Sequence, residues 1–419
     1  MPYPVLLAKL LIRSGLARWL PAVQRLTDGG GAFLHYYSDR VLAAPYAELR
    51  DAAALLEAPG PDGIDLSQGA PSFDLVPSGS TKLPADRRGF PPPWGLAALR
   101  EAVAQKLQAD HRLAVNPADE VLITHGAAGA FSIALDTFVN PGDRIALFDP
   151  TSPMYHLALR QRRARVRWIP TWMEAGRTRF HLEHMIKALS RARLIVLASP
   201  ANPTGGFIAP EDLEQIAWWA DRRDLLIFDD QAFARYRYEG EPVSIGTLRR
   251  ACRRTITAGS VSKGYALAST RVGWLAGHRH LVRPCALTGM LQTPFVATLC
   301  QQIALAALAQ GDDIFASIRG EFDSRRRYAF ERLQALGLQP AWPAGAFFFW
   351  VNVQQLGLSG RAFAERLLRT KKVLVTPGDH FGPSGPGHIR LSYAADDGRL
   401  REGLTRLADL LREPVRQAA

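Results

Sequence analysis

The sequence predicts an α/β protein: a mostly parallel sheet sandwiched by helices, followed by a smaller α+β C-terminal domain. Three observations predict it. From residue 120 onward, short continuous apolar runs alternate with amphipathic helical segments, the pattern of strands buried on both faces. After about residue 310 the pattern changes to a charged helix, an aromatic strand and short β segments. The chain has 419 residues, 47% hydrophobic and 21% charged, enough to bury the cores of two folded units.

Taken in order, residues 1–27 carry Lys9, Arg13, Arg18 and Arg25, no acid, and a leucine-rich apolar stripe. This reads as a basic amphipathic helix that packs on its own protein or a partner subunit. A targeting or membrane-surface helix is the other reading. A second helix is expected over 46–58, and Ile64–Leu66 as a short strand running into Gly69. Residues 75–94, rich in Pro, Gly and Ser, read as an extended connection. Gly95 to Leu107 reads as a helix, with Leu96, Leu99, Val103 and Leu107 on one stripe. Strands are expected at 120–124, 144–148, 194–198, 225–228, 255–258 and 272–276, with helices such as 127–138 and 210–220 between them. Beyond 310, a helix over 314–336 leads to the aromatic strand 343–353, a helix at 360–370, strands at 373–375 and 389–393, and a closing helix at 397–412. The expected division is an N-terminal arm (1–61), a large domain (62–309) and a small domain (310–419).

The formal net charge of +12 does not point to nucleic acid, because 51 Lys and Arg are scattered among 39 acids with no basic block interleaved with aromatics. No apolar run is long enough to cross a bilayer. Cys252, Cys285 and Cys300 form no CxxC pair and no disulfide framework, which fits a cytoplasmic, reducing compartment with all three buried. No metal is expected.

Chemistry concentrates where strands end, the place where open α/β sheets bind ligands. His125-Gly126-Ala127-Ala128 opens a helix, whose free N–H groups can cradle an anion. Ser199-Pro200-Ala201-Asn202-Pro203-Thr204-Gly205 presents an amide on a rigid turn. Asp229-Asp230 ends an apolar run, where a buried carboxylate requires a partner. Ser260-Val261-Ser262-Lys263 follows, with Arg271 eight residues after the lysine. A lysine desolvated near other cations loses its proton readily and can attack a carbonyl. The same string also describes an ordinary loop lysine, and the other strand ends decide between them. An anion nest, an amide, a carboxylate and a lysine are together what pyridoxal phosphate requires.

These motifs, with Asp230-Gln231-Ala232-Phe233 and Phe381-Gly382…Ile389-Arg390-Leu391-Ser392, resemble the fold-type I, class I/II aminotransferases of the aspartate aminotransferase superfamily, in order, over roughly residues 62–410. The resemblance implies a pyridoxal 5'-phosphate enzyme that moves an amino group between an amino acid and a 2-oxo acid. Lys263 would be the Schiff-base lysine and proton shuttle, and Asp230 the partner of the pyridinium nitrogen. Asn202 would donate to the phenolic oxygen. Ser260 and Arg271 would hold the phosphate beside the amides of Gly126, Ala127 and Ala128. Arg390 would fork the substrate carboxylate, with the main chain of Gly69 beside it. The family also implies a homodimer with shared active sites.

Three positions depart from the family pattern. Phe233 replaces a tyrosine that bonds the cofactor, and Ser152 stands where an aromatic ring usually stacks. Phe90 replaces a tyrosine that usually reaches the neighbouring subunit's phosphate. Each lost hydroxyl is worth about 0.5–1.5 kcal/mol, less than the retained charges, so cofactor binding is expected to persist. A β- or γ-lyase on the same residues is the alternative reaction. A non-catalytic relative ranks lower, since the residues before Gly69 lack a winged-helix pattern. Trp94, Tyr155 and Tyr236 are candidate side-chain contacts.

Overall fold

The computed structural model describes residues 60, 62–67, 69–71, 73, 89–240, 243–310 and 312–413. The helices expected within 1–27 and over 46–58, and residues 75–88 of the extended connection, lie outside the described residues. Apart from β1 (Ile64–Asp65), the first strands are β2 (Val121–Thr124), β3 (Arg144–Asp149), β4 (Arg165–Glu174), β5 (Arg177–Phe180), β6 (Ala192–Ala198), β7 (Leu226–Asp230), β8 (Thr255–Ser260) and β9 (Gly273–Gly277). They form one sheet in the order β2-β9-β8-β7-β6-β3-β4-β5, with β9 and β5 antiparallel to the rest.

The central strands are apolar along most of their length because both faces are covered. In β3, Ile145 and Leu147 pack in one core with Phe131, Leu135 and Cys285, while Ala146 and Phe148 pack in the opposite core with Met185 and Ile216. Strand period two makes this partition unavoidable. The helix expected from Gly95 starts at Ala97 and runs on to His111. Strands β4 and β5 are additions to the expected set. Their arginines at 165, 167, 177 and 179 and Pro170 obscure the pattern, which suits strands at one end of a sheet.

The C-terminal residues build a second sheet from β10 (Gln339–Pro340), β11 (Phe348–Asn352), β13 (Thr376–Pro377) and β14 (His388–Ser392), while β12 (Val373–Leu374) lies beside it. Phe347, Phe349 and Val351 bury against the helices Gly360–Lys371 and Asp397–Arg412 through Phe363, Leu367, Leu404 and Leu407. β1 pairs in parallel with β12, and Ile64 and Leu66 enter this same core. The segment before Gly69 is therefore fastened to the small sheet.

The cysteine expectation is corrected. Cys285 is buried, but Cys252 is exposed and Cys300 only half-buried. Cys252 falls in an arginine-rich turn between Arg249, Arg250, Arg253 and Arg254, in which Ala251 turns inward and Cys252 outward. Among the described residues no helix is long and apolar enough to cross a membrane.

Candidate active site

The carboxyl ends of β6, β7 and β8 and the start of the Gly126–Phe138 helix open onto a cavity of about 370 Å³. Gly69, Ala127, Ala128, Asn202, Asp230, Phe233, Ser260, Lys263, Arg271 and Arg390 all line it. Of the residues expected to hold the cofactor or the substrate carboxylate, Gly126 is the one that does not. It lies behind the wall, with a φ of +70° and its α-carbon against Arg271.

Lys263 sits on a single helical turn, Val261–Gly264, directly after β8. Gly259 in β8 has no side chain where the Trp274 ring crosses it, so a Cβ there would lie 2.5 Å from the ring. That close packing holds the strand end against β9. The Lys263 ammonium donates to the Gly69 carbonyl, and the Tyr236 hydroxyl donates to the Lys263 carbonyl at 3.2 Å. Burial pulls the Lys263 pKa down to about 8, assisted by the positive charges of Arg390 and Arg271 and opposed by Asp230.

Asp230 ends β7 pointing into the cavity, where its Oδ2 accepts a 2.5 Å hydrogen bond from Tyr155 and its Oδ1 accepts from the Ala232 amide at 2.9 Å. Burial raises its pKa, while the Tyr155 bond, the Ala232 amide and Lys263 favour the charged form. Asp229 faces the other side of the sheet and accepts from Ser244 Oγ and Gln231 Nε2, each at 2.7 Å. Its pKa rises to about 6, chiefly through burial.

At the anionic-ligand end, Arg271 Nη1 donates to the Ala268 carbonyl at 2.9 Å and to Ser262 Oγ at 3.4 Å. A Cβ on Gly126 would come within 2.8 Å of Arg271 Nη2, so the glycine is what lets the guanidinium lie over the helix start. Thr124 Oγ1 donates to the Gly126 carbonyl at 2.9 Å and pins this turn.

At the opposite end, Arg390 projects from β14 and is half-buried. Its Nη1 donates to Asn202 Oδ1 at 2.8 Å, and its Nη2 donates to the Ser67 carbonyl at 2.6 Å and Thr376 Oγ1 at 3.2 Å. Its Nε is buried with no partner. The guanidinium stacks over Phe348, 4.3 Å from the ring centre. Burial lowers the Arg390 pKa to about 10, offset in part by Asp65. The arrangement is thus a fork with spare donor capacity, short of one anion.

Of the candidate side-chain contacts, Tyr155 and Ser152 line the cavity, but Tyr155 spends its hydroxyl on Asp230. Tyr236 lies in the small-sheet core, and Trp94 packs against the large-sheet core. The sequence reading missed Ser262, Met154, Ala198, Ala232 and Phe348 as lining residues. Ser262, Ala232 and Met154 adjoin residues already singled out, so adjacency was the usable signal; Phe348 carried none.

The cavity therefore holds a lysine whose pKa burial lowers to about 8, between two cationic ends and beside one buried carboxylate. A sequence model described as "Aminotransferase class I and II" matches residues 61–407. The aspartate aminotransferase of Pyrococcus abyssi is 30% identical over 387 residues, covering 90% of this chain and 98% of its own length. Aromatic-amino-acid aminotransferase 2 of Thermococcus litoralis is 30% identical over 385 residues, with 90% and 98% covered. The structure of the Thermus thermophilus aspartate aminotransferase with maleate superposes with a TM-score of 0.79 at 29% identity, covering 89% of this chain and 99% of that one.

Proposed function

The chain belongs to the class I and II aminotransferases, and from that premise we propose that it moves an amino group between an α-amino acid and a 2-oxo acid with pyridoxal 5'-phosphate, Lys263 serving as the Schiff-base lysine. One observation carries the proposal: Lys263, Asp230, Asn202, Arg271 and Arg390 meet in one cavity from four separate stretches of chain, Lys263 and Arg271 sharing one.

The donor set suits this cofactor. Arg271, Ser260 and the helix start at Gly126–Ala128 would hold its phosphate, and the absent Cβ of Gly126 leaves the guanidinium room. Asp230 would meet its ring nitrogen, and the amide nitrogen of Asn202, whose oxygen is taken by Arg390, would meet its phenolic oxygen. Lys263 would hold its aldehyde carbon. When bound, the cofactor supplies an electron sink for charge developing at the substrate Cα.

The protein's own contributions follow from the geometry. Arg390, in the cavity wall, takes the substrate carboxylate, with the Gly69 main chain beside it. Lys263 Nζ, with a pKa near 8, has an accessible neutral form and takes the Cα proton. Burial raises the Asp230 pKa, and the Tyr155 bond works against that, favouring the ionised form.

The test is reconstitution with pyridoxal 5'-phosphate. A visible absorption band that borohydride abolishes, and that Lys263→Ala lacks, supports the proposal, as does formation of a new amino acid from a 2-oxo acid. Release of ammonia without a second amino acid would identify an elimination reaction instead.

Two further readings accompany this one. The division into residues 1–61, 62–309 and 310–419 is proposed, with β1 lent to the small sheet. A homodimer is proposed on the face where Phe90, 88% exposed, stacks on Phe295 at 5.1 Å, and Leu287, Met290 and Leu291 are exposed on one helix. Sedimentation velocity at micromolar concentration tests it.

A further inference from the structure

Behind Lys263, on the far side of the turn that carries it, lies a second cavity of about 320 Å³. It is walled by the end of the Ala97–His111 helix, the Ala234–Tyr236 turn and the start of the Asp312–Ala335 helix. Its chemistry is cationic. Arg235 and Arg319 line it, with His111, Asp110 and Phe315. Arg235 is held in place by stacking on Phe315, 3.6 Å from the ring centre, and by an ion pair with Asp110 at 3.6 Å.

Asp110 cannot neutralise the pocket by itself, because it also pairs with Lys106 at 3.2 Å. Arg319 lies on the exposed face of its helix and forms no ion pair with any described residue. His111 is only 7% exposed, and its Nδ1 is buried with no hydrogen-bond partner. Two guanidinium groups around a chamber of this size, with the His111 ring in its wall, form a receptor for a small oxyanion.

We propose that this cavity binds a small multivalent oxyanion, a phosphate or a dicarboxylate, through Arg235, Arg319 and His111. The site is joined mechanically to the catalytic lysine. A Cβ on Gly264, the residue after Lys263, would lie 2.8 Å from Arg235 Cδ, and Tyr236, next to Arg235, donates to the Lys263 carbonyl. An anion that draws on Arg235 therefore draws on the turn beneath Lys263. That link to catalysis rests on the role proposed for Lys263, whereas the binding site does not.

The test is calorimetric titration of the reconstituted protein with inorganic phosphate, and of an Arg390→Ala background with succinate, at constant ionic strength set by chloride. Saturable binding of at least one anion, weakened about tenfold or more by Arg319→Ala and lost in Arg319→Glu, is expected. The anion that binds identifies the ligand source. His111→Leu should weaken the same binding while far-UV circular dichroism stays unchanged. No saturable heat with either anion, or affinity untouched by Arg319→Glu, overturns the proposal. Because the readout is binding, an error in the role of Lys263 would leave this result intact and appear only in the borohydride experiment.

Discussion

The Tyr155 hydroxyl donates to Asp230 Oδ2 across 2.5 Å, joining the first turn of the Pro153–Gln161 helix to the end of β7. Both groups are buried, so the bond is made without competition from water and favours the carboxylate over the acid. Tyr155→Phe should therefore raise the Asp230 pKa further. A hydrogen bond to a charged group is worth about 1.5–3 kcal/mol, so cofactor affinity should fall roughly 10- to 100-fold. Equilibrium dialysis of the cofactor measures this, and an unchanged affinity would refute the role given to Tyr155.

Arg390→Lys should act at the substrate and leave the cofactor alone. Lysine cannot span Asn202, the Ser67 carbonyl and a carboxylate with one fork. The expected outcome is a kcat/KM lower by about 100-fold, carried mainly by KM, with an unaltered visible spectrum. Steady-state kinetics with any accepted amino acid would show it.

Gly126→Ala forces a side chain onto a positive φ and into Arg271 Nη2. The backbone cost is roughly 1–2 kcal/mol, and the displaced guanidinium adds a loss of phosphate affinity. Thermal unfolding should show the first effect in the cofactor-free protein. The gap from wild type should then widen when cofactor is added, because only the wild type gains the full ligand stabilisation.

Lys263 predicts a pH signature in the cofactor-free protein. Below pH 8 the folded chain buries an ammonium that the unfolded chain hydrates. From pH 8 to about 10.4 the folded chain has released that proton and the unfolded chain has not, so stability rises with pH across the window. Lys263→Met abolishes this behaviour. Its stability advantage over wild type in urea should be roughly 3 kcal/mol near pH 7 and vanish by about pH 10.5. A pH-independent difference would contradict the depressed pKa.

The opposite sign is expected from Asp229. Its folded pKa, about 6, lies above the unfolded value near 3.9, so the native state loses stability as pH rises from 4 to 6. Asp229→Asn, which keeps the shape and the bond from Ser244, should flatten that part of the profile. Urea midpoints at pH 4.5 and 6.5 suffice to compare the two proteins.

The central strands were legible because burial on both faces writes an apolar run, as in Ile145–Phe148 and Leu194–Ala198. β4 was not, since Arg165 and Arg167 keep their stems on the sheet and their charges in water, which breaks the run without breaking the strand. The cavity residues contributed by strand ends were legible for a related reason: a polar group directly after an apolar run has few structural explanations. The Tyr155–Asp230 bond spans 75 residues of sequence and joins a helix to a strand, so no local spacing encodes it. The fastening of residues 64–66 to β12 was hidden in the same way, because a two-residue strand carries no periodicity.

That fastening has a mechanical consequence. The Leu66 amide donates to the Leu374 carbonyl, the Ser392 amide donates to the Leu66 carbonyl, and Arg390 grips Ser67. Gly69 and Arg390 are thus tied to the strands β12 and β14, whereas Lys263, Asp230 and Arg271 follow strands of the large sheet. Any displacement of one sheet against the other would leave the Arg390–Ser67 grip unstretched and fall on two contacts, Lys263 with Gly69 and Arg390 with Asn202. The carbonyl that caps the lysine is then a latch, released by the same displacement that carries the arginine fork.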